Sequence, residues 1–205
     1  MNEAMLVAVV DDDAAVGRAI RRLLESDGFR VATFLSADEF LADIRLEQTG
    51  CLLLDLKMPG RDGLQVQAEL LARGLHLPVV FLTGHGDVEA SVRAMKGGAL
   101  DFLQKPWEPE VLLATVREAL RRDAARRAGS EAVASLRARH ARLSAREREV
   151  LDGVLAGRLN KQIAGDMGIV EKTVKVHRAR VMEKMGAASL AELVRMMEEL
   201  RRSPE

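Results

Sequence analysis

The chain begins with a regular alternation of short apolar runs and longer segments with helical periodicity. The apolar runs, rich in Val and Leu, cover residues 5–10, 31–34, 51–54, 79–82 and 100–103. Between these runs, apolar residues recur every three or four positions, the spacing of one helix face. Continuous apolar strands that alternate with helices predict a parallel sheet covered on both faces. We therefore expect residues 1–122 to form a doubly wound, five-stranded α/β domain.

The pattern changes after this first domain. Residues 123–142 are rich in Arg and Ala and have only scattered apolar positions, which predicts a helical or partly ordered linker. Gly129-Ser130 is the expected place of a break, although the preceding helix can continue into this segment.

Residues 143–205 carry only helical signals and predict a separate all-α domain of four helices. Ser144 and Glu147 have the spacing of a capping box, and glycines end the two middle helices. A short helix, a turn that contains Gly and a second helix with basic residues are typical of a helix-turn-helix. The two helices of this motif are predicted at Asn160–Met167 and Glu171–Met185, and the last helix at 190–200.

Charge is distributed unevenly between the two halves, although the formal net charge is zero. Residues 1–122 contain 14 Lys and Arg against 19 Asp and Glu, whereas residues 123–205 contain 17 against 12. The acidic half and the basic half therefore suggest different partners, with nucleic acid the natural partner of the basic half.

Several protein classes are disfavoured by composition. No apolar stretch reaches the about 20 residues that a membrane helix needs, and the N-terminus lacks the features of a secretory signal, so we expect a cytoplasmic protein without a membrane partner. The single cysteine, Cys51, excludes an intramolecular disulfide and a cysteine-based zinc site. Its apolar neighbours indicate a small buried hydrophobe rather than a redox sensor.

Polar residues fall where four of the five predicted strands end. They are Asp11, Asp12 and Asp13 after the first strand, Asp55 after the third, Thr83 at the end of the fourth and Lys105 after the fifth. Strand ends in a parallel sheet meet at one edge, where binding sites of such folds lie. Clustered carboxylates suit Mg²⁺, and a carboxylate can accept a phosphoryl group. Asp13 alone is better explained as a helix N-cap.

Residues 1–122 resemble the receiver domains of two-component response regulators over their whole length. The matching strings are Val9-Val10-Asp11-Asp12, Leu54-Asp55-Leu56-Lys57-Met58-Pro59-Gly60, Thr83-Gly84 and Asp101-Phe102-Leu103-Gln104-Lys105-Pro106. The resemblance implies a flavodoxin-like strand order of 2-1-3-4-5 and a partner histidine kinase that phosphorylates Asp55. It also implies that the chain is no enzyme beyond catalysing its own phosphorylation and dephosphorylation.

The resemblance also assigns roles within the pocket. It implies that Asp12, Asp55 and the backbone carbonyl of Lys57 hold Mg²⁺, and that Asp11 helps through water. Thr83 and Phe102 would be the switch pair, in which Thr83 moves to the phosphoryl oxygen and Phe102 turns inward. A cis bond is expected before the proline that follows Lys105.

Lys57 and His85 stand two residues after Asp55 and Thr83, respectively. These positions would flank the acyl phosphate. We therefore expect the two side chains to tune its rate of hydrolysis.

The candidate second helix of the helix-turn-helix carries a cluster of basic residues. Spacings of three and four place Lys172, Lys175, Val176 and Ala179 on one face, opposite a buried stripe that includes His177. Such a face can enter a major groove while surrounding basic residues bind phosphates. The alternative is that these basic residues form an ordinary solvent-exposed helix face that binds no partner.

Residues 143–197 resemble the LuxR-type helix-turn-helix of the NarL/FixJ family, and the last helix is closest to its FixJ branch. The matching strings include Leu143-Ser144-Ala145-Arg146-Glu147, Asn160-Lys161-Gln162-Ile163-Ala164 and Thr173-Val174-Lys175-Val176-His177-Arg178. The resemblance implies that Lys175, Val176 and Ala179 read bases. Backbone contact is expected from Lys161, Thr173, His177, Arg178 and Lys184. Val170 departs from the family, because it offers no side-chain oxygen as an N-cap.

Two alternatives from other classes are weaker. A phosphatase of the haloacid-dehalogenase type needs Thr or Val where this chain has Ala15, and there is no room for its cap insertion. No Gly-x-x-x-x-Gly-Lys-Ser/Thr motif supports nucleotide binding. A constitutive DNA binder, whose receiver serves only as a dimerisation scaffold, stays open.

The sequence therefore predicts a phosphorylation-dependent transcriptional regulator of promoter DNA. Phosphorylation is expected to shift a population of states and to pair two receivers through the face of helix four, strand five and helix five, residues 87–96, 100–103 and 109–121. The resulting homodimer would bring two recognition helices to two half-sites. RNA polymerase is a further candidate partner.

Overall fold

A computed structural model of the chain describes residues 5–43, 45–84 and 88–203, without the side chains of residues 88–91. Five parallel strands form one sheet in the order β2-β1-β3-β4-β5. The strands are β1 Leu6–Val10, β2 Arg30–Phe34, β3 Thr49–Asp55, β4 Val79–Thr83 and β5 Asp101–Gln104. The predicted fold class and strand order are confirmed, and every predicted strand lies within two residues of its observed bounds.

Within the described residues, helices connect the strands and follow the last strand. They are α1 Ala14–Ser26, α2 Ala37–Leu41, α3 Gly63–Ala72, α4 Val88–Lys96, α5 Pro109–Ala141, α6 Ala145–Leu155, α7 Asn160–Met167, α8 Glu171–Met185 and α9 Leu190–Arg202, with one 3₁₀ turn at Leu46–Gln48. The chain divides into two compact units, Met1–Arg126 and Arg127–Glu205.

The first unit is held together by two apolar layers, one on each face of the sheet. Alternate residues of each strand point to opposite faces, so Val10 and Leu54 join one layer and Val9 and Leu53 the other. Helices α2, α3 and α4 cover the first layer, and α1 and α5 cover the second. Because both faces of the sheet are covered, the strand ends are where the sheet itself can carry a polar site.

The second unit has a core of its own, formed by α6, α7, α8 and α9. Ser144 caps α6 and forms the predicted capping box with Glu147. Gly168 and Gly186 end α7 and α8 in the left-handed conformation, which glycine adopts without steric cost. The observed bounds of α7 and α8 therefore equal the predicted ones.

The expected break at Gly129-Ser130 is wrong, because α5 continues through both residues to Ala141. A glycine inside a helix costs only about 1 kcal/mol relative to alanine. Burial beyond the glycine can offset that cost, and Leu136 is only 7% exposed.

The environment of Cys51 can be compared with the prediction from composition. Cys51 is buried, and burial together with the nearby Asp123 carboxylate raises the pKa of its thiol to about 12. This environment fits the predicted small hydrophobe.

In the described part of the chain, no helix has both the length and the apolar character that crossing a membrane requires.

Candidate functional site

The predicted polar residues meet at the carboxyl edge of the sheet. Asp11 directly follows β1, Asp55 is the last residue of β3, and Thr83 is the last residue of β4. Strand register places Asp55 beside Leu82 and Thr83 beside Gln104. Neighbouring strands thus end at the same level, which brings their terminal residues together at one edge of the sheet.

The Lys105 ammonium lies between two carboxylates. Its Nζ is 2.6 Å from Oδ2 of Asp11 and 3.1 Å from Oδ2 of Asp55. The predicted cis bond between Lys105 and Pro106 is present, and the Lys105 backbone N–H donates to the Thr83 carbonyl at 2.6 Å. Lys105 is thus held to the end of β4 while its side chain reaches across the pocket.

Burial sets the electrostatics of the pocket. Asp55 is only 8% exposed, and burial raises its pKa, although the Lys105 cation opposes this shift. Burial alone would lower the pKa of Lys105, but the Asp11 and Asp55 carboxylates outweigh it and raise the pKa. The ion pairs therefore keep a lysine charged in a partly buried place.

Three carboxylates are close enough to share a metal ion. Asp11, Asp12 and Asp55 each offer an oxygen, and these oxygens lie within 4.8 Å of one another. Asp12 is exposed, so one side of the cluster is open to solvent. The Lys57 backbone N–H donates to Oδ1 of Asp55 at 3.3 Å, which places the Lys57 backbone beside the cluster. An all-oxygen set with an open side fits Mg²⁺, which usually keeps several waters.

The other predicted pocket residues have separate positions. Asp13 is the N-cap of α1, as expected, and accepts a hydrogen bond from Ala15. Thr83 is buried, and Phe102 is half-buried against the first apolar layer. His85 lies outside the described residues, so the proposed joint role of Lys57 and His85 stays a prediction.

Gly63 is a pocket residue that the sequence did not single out. A Cβ at this position would lie 2.5 Å from the backbone oxygen of Asp55 and 2.9 Å from the Phe81 ring. The first residue of α3 therefore packs directly against the strand end that carries Asp55. The signal in the sequence was a glycine in the first turn of a helix. Glycine lowers helix stability relative to alanine there, so its presence indicates a packing constraint.

The predicted DNA-facing residues of the second unit are mostly exposed. Lys161, Lys172, Lys175, Val176 and Ala179 are exposed, whereas Thr173, His177, Arg178 and Lys184 are half-buried. As predicted, Val170, the residue before α8, provides no side-chain cap for the helix. The exposed residues thus include all three predicted base-reading positions.

Several of these side chains already have partners within the unit. Lys175 pairs with Glu171 at 3.1 Å, and Arg178 donates to Oδ1 of Asn160 at 3.2 Å, which links α8 to the start of α7. Nδ1 of His177 is buried without a hydrogen-bond partner in the described part of the chain. Nδ1 of His177 is therefore not placed to bind a DNA phosphate.

Lys184 differs from the other basic residues of α8. Its Nζ is 2.7 Å from Oε2 of Glu147 and 3.2 Å from the Arg142 carbonyl oxygen. Glu147 is only 3% exposed. The ammonium group is therefore directed towards α6 and the end of α5.

Comparison with known families assigns both parts of the chain. Residues 7–117 match the response regulator receiver domain. Residues 141–197 match the bacterial regulatory proteins of the luxR family. The first match covers the strands that form the pocket, and the second covers α6 to α8 and most of α9.

Relatives match along nearly the whole chain. Nodulation protein W of Bradyrhizobium diazoefficiens is 46% identical over 95% of this chain and 86% of its own length. The transcriptional regulatory protein FixJ of Azorhizobium caulinodans is 48% identical over 96% of this chain and 93% of its own length. The solved structure of response regulator StyR has a TM-score of 0.87 at 45% identity and covers 96% of this chain and 100% of that one. The chain therefore belongs to the NarL/FixJ family of two-component transcriptional response regulators.

Proposed function

We propose that Asp55 accepts a phosphoryl group from a partner histidine kinase and that this step controls binding of promoter DNA. The observation that carries the proposal is the Lys105 ammonium, which lies 3.1 Å from the Asp55 carboxylate and 2.6 Å from that of Asp11. A cation in this position can bind an oxygen of a phosphoryl group on Asp55. Its charge also offsets the repulsion among the neighbouring carboxylates.

The transfer step follows from the chemistry of the carboxylate. An Asp55 oxygen attacks phosphorus, the bond from phosphorus to the kinase histidine nitrogen breaks, and an acyl phosphate forms. Lys105 stays protonated and stabilises the negative oxygens, and the buried Thr83 hydroxyl is placed at the neighbouring strand end. Attack by water on the same phosphorus returns Asp55 and inorganic phosphate, so the receiver would catalyse its own dephosphorylation.

Asp11, Asp12, Asp55 and the Lys57 carbonyl would hold Mg²⁺. The ion would neutralise negative charge on the phosphoryl oxygens. The spacing of the three carboxylate oxygens supports this assignment.

We infer that α8 is the recognition helix. Lys175, Val176 and Ala179 are exposed on one face, and the N-terminal part of such a helix contacts base edges. Lys can donate to guanine, and Val and Ala can contact a thymine methyl group. Lys161 and Lys172 would bind phosphates on either side.

Dimerisation is proposed through the face formed by α4, β5 and α5. Val92 and Met95 lie three residues apart on α4 and are 46% and 49% exposed, and Val111 on α5 is 48% exposed. Apolar side chains left in water mark interaction surfaces when they cluster. Residue 87, the first of the predicted face, lies outside the described residues. Contact with RNA polymerase stays a prediction.

Phosphorylation is tested with a small phosphodonor and Mg²⁺, and intact mass is the measurement. Wild type should gain the mass of one phosphoryl group, and Asp55→Ala should gain none. Lys105→Met should form or keep the acyl phosphate poorly. Asp38→Ala, which removes an exposed carboxylate outside the pocket, is the matched control and should behave like wild type. Equal phosphorylation of Asp55→Ala would refute the assignment.

DNA recognition is tested with sequences selected from a random pool. Lys175→Ala and Val176→Ala should weaken binding by about 1–3 kcal/mol and relax the base preference at single positions. Lys161→Met should weaken binding to all sequences alike. Unchanged sequence preference in the Lys175 and Val176 variants would contradict the assignment of α8.

A further inference from the structure

The C-terminal end of α8 is hydrogen-bonded to residues that the sequence predicted to be a linker. Lys184, in the last turn of α8, donates to the carbonyl oxygen of Arg142, which follows the end of α5. In the other direction, Nη1 of Arg139 on α5 donates to the carbonyl oxygen of Met185, the last residue of α8. Each helix thus donates to the end of the other.

The same lysine also binds a buried carboxylate. Oε2 of Glu147 is 2.7 Å from Nζ of Lys184 and accepts the Ser144 backbone N–H at 2.8 Å. Glu147 is only 3% exposed, whereas the Lys184 side chain is 33% exposed, so Lys184 pairs with a shielded carboxylate while keeping contact with solvent. Breaking a buried pair by removing one member leaves an uncompensated charge.

Arg139 lies directly against the turn that ends α8. A Cβ added at Gly186 would be 3.0 Å from Nη1 of Arg139, so the guanidinium fits closely against this turn. The last carbonyl groups of a helix have no partner within the helix, and cations are favourable there. Leu136, three residues before Arg139 and on the same side of α5, is buried.

These groups all belong to the second unit, which begins at Arg127. A recognition helix reads bases through side chains whose reach depends on the orientation of the helix. Its N-terminal part carries the proposed reading residues, and its C-terminal end is the part that the cations hold. The ammonium group of Lys184 is bound to Glu147 and to the Arg142 carbonyl oxygen, both within the second unit.

We propose that Arg139 and Lys184 are positioning residues that hold the recognition helix through the end of α5 and Glu147, and that Lys184 does not bind a DNA phosphate. Residues 136–142 are then a functional part of the DNA-binding domain. This inference rests on the proposed role of α8 in DNA binding. It reassigns Lys184 from the set of phosphate contacts that the sequence predicted.

Salt dependence separates a positioning residue from a phosphate contact. The logarithm of the binding constant falls linearly with the logarithm of salt concentration, and each phosphate contact contributes about 0.9 to the slope. A lost phosphate contact lowers that slope and weakens all sequences alike. A lost positioning residue leaves the slope unchanged and weakens selected sequences more than random ones. A variant that only loses fold stability keeps both the wild-type salt slope and the wild-type preference for selected over random sequences in its folded fraction.

The experiment uses the full chain, with DNA affinity measured against salt for a selected and a random duplex. Lys184→Met and Arg139→Met should each weaken the selected duplex about tenfold, the cost of one mismatched base pair, with the wild-type slope retained. Lys184→Arg should recover most of the loss. Lys161→Met is the matched phosphate-contact control and should lower the slope by about 0.9 for both duplexes.

Two results would overturn the proposal. One is a slope in Lys184→Met that falls as far as in Lys161→Met. The other is unchanged affinity of Lys184→Met and Arg139→Met for the selected duplex. Arg139→Met removes no partner of a buried charge, so it keeps the test valid if Lys184→Met fails to fold. Absence of DNA binding by wild type would instead refute the proposed function itself.

Discussion

The close approach of Gly63 to Asp55 makes it a sensitive position at the residue scale. We expect Gly63→Ala to destabilise the receiver by about 1–3 kcal/mol, because overpacking displaces backbone and the added Cβ would lie 2.5 Å from the Asp55 carbonyl oxygen. Phosphorylation of Asp55 should also slow. Chemical unfolding and the mass assay measure the two effects.

Gly129→Ala is the matched control for this substitution. A Cβ at Gly129 has no neighbour within 4 Å, and the residue lies inside α5. Alanine is about 1 kcal/mol better than glycine in a helix interior, so this variant should be slightly stabilised. Equal effects of the two substitutions would contradict the proposed clash at Gly63.

Single residues differ in how far the sequence predicted their surroundings. Asp11, Asp55 and Lys105 were placed in one pocket because parallel strands end at one edge. Gly63 was not recognised, because its constraint comes from backbone that is distant in the fold rather than from a local motif. Lys184 was predicted to contact DNA from its position in the family motif, whereas its partner Glu147 is 37 residues away and the contact could not be predicted from the sequence.

At the scale of single elements, α8 begins without a side-chain cap at Val170. We expect Val170→Ser to raise the free energy of unfolding of the DNA-binding unit by about 1 kcal/mol, because a serine hydroxyl can accept an N–H of the first turn. Thermal unfolding measures the effect. Val176→Ser makes the same change at an exposed site inside the same helix and should have little effect. An equal shift in both variants would mean that capping is not the cause.

The contact between α6 and α8 should make stability depend on pH. The Lys184 cation and the Ser144 backbone N–H lower the pKa of Glu147 from 4.5 to about 2. A carboxyl group with a lowered folded-state pKa stabilises the fold above its unfolded pKa, and this contribution is lost as pH falls. The contribution of Glu147 should therefore disappear between about pH 4.5 and pH 2.

The measurement is the difference in unfolding free energy between wild type and Glu147→Gln against pH. Titration of all other groups occurs in both proteins and cancels. The difference should be largest near neutral pH and shrink through the acid range. A difference that does not vary with pH would show that the ion pair does not contribute in this way.

Whole elements were predicted best where local chemistry sets their bounds. Left-handed glycines end α7 and α8, and such glycines can be recognised in a sequence. The course of α5 was predicted poorly, because Gly129-Ser130 is a local break signal that packing of the following residues overrides. The sequence predicted α8 and a helical or partly ordered segment in the region of α5. It did not predict the contact between them, because that contact depends on tertiary structure.

At the scale of the whole molecule, the proposed dimerisation through the apolar face of α4 and α5 can be tested. We expect Met95→Asp to leave phosphorylation intact and to abolish the phosphorylation-dependent dimer, because it places a charge in an interface that must exclude water. Sedimentation with and without phosphodonor measures this. Leu71→Asp, a comparable change at a 45% exposed residue of α3, is the control and should dimerise like wild type. Normal dimerisation of Met95→Asp would place the interface elsewhere.

The coupling of phosphorylation to DNA binding is tested most directly by measuring DNA affinity and oligomeric state together. Wild type and Asp55→Ala would be compared in Mg²⁺, with and without a small phosphodonor, on a duplex selected from random sequences. The phosphodonor should raise both affinity and dimer content in wild type only. Equal binding by both proteins, with no response to the donor, would contradict the switch and leave the receiver as a scaffold for a constitutive DNA-binding protein.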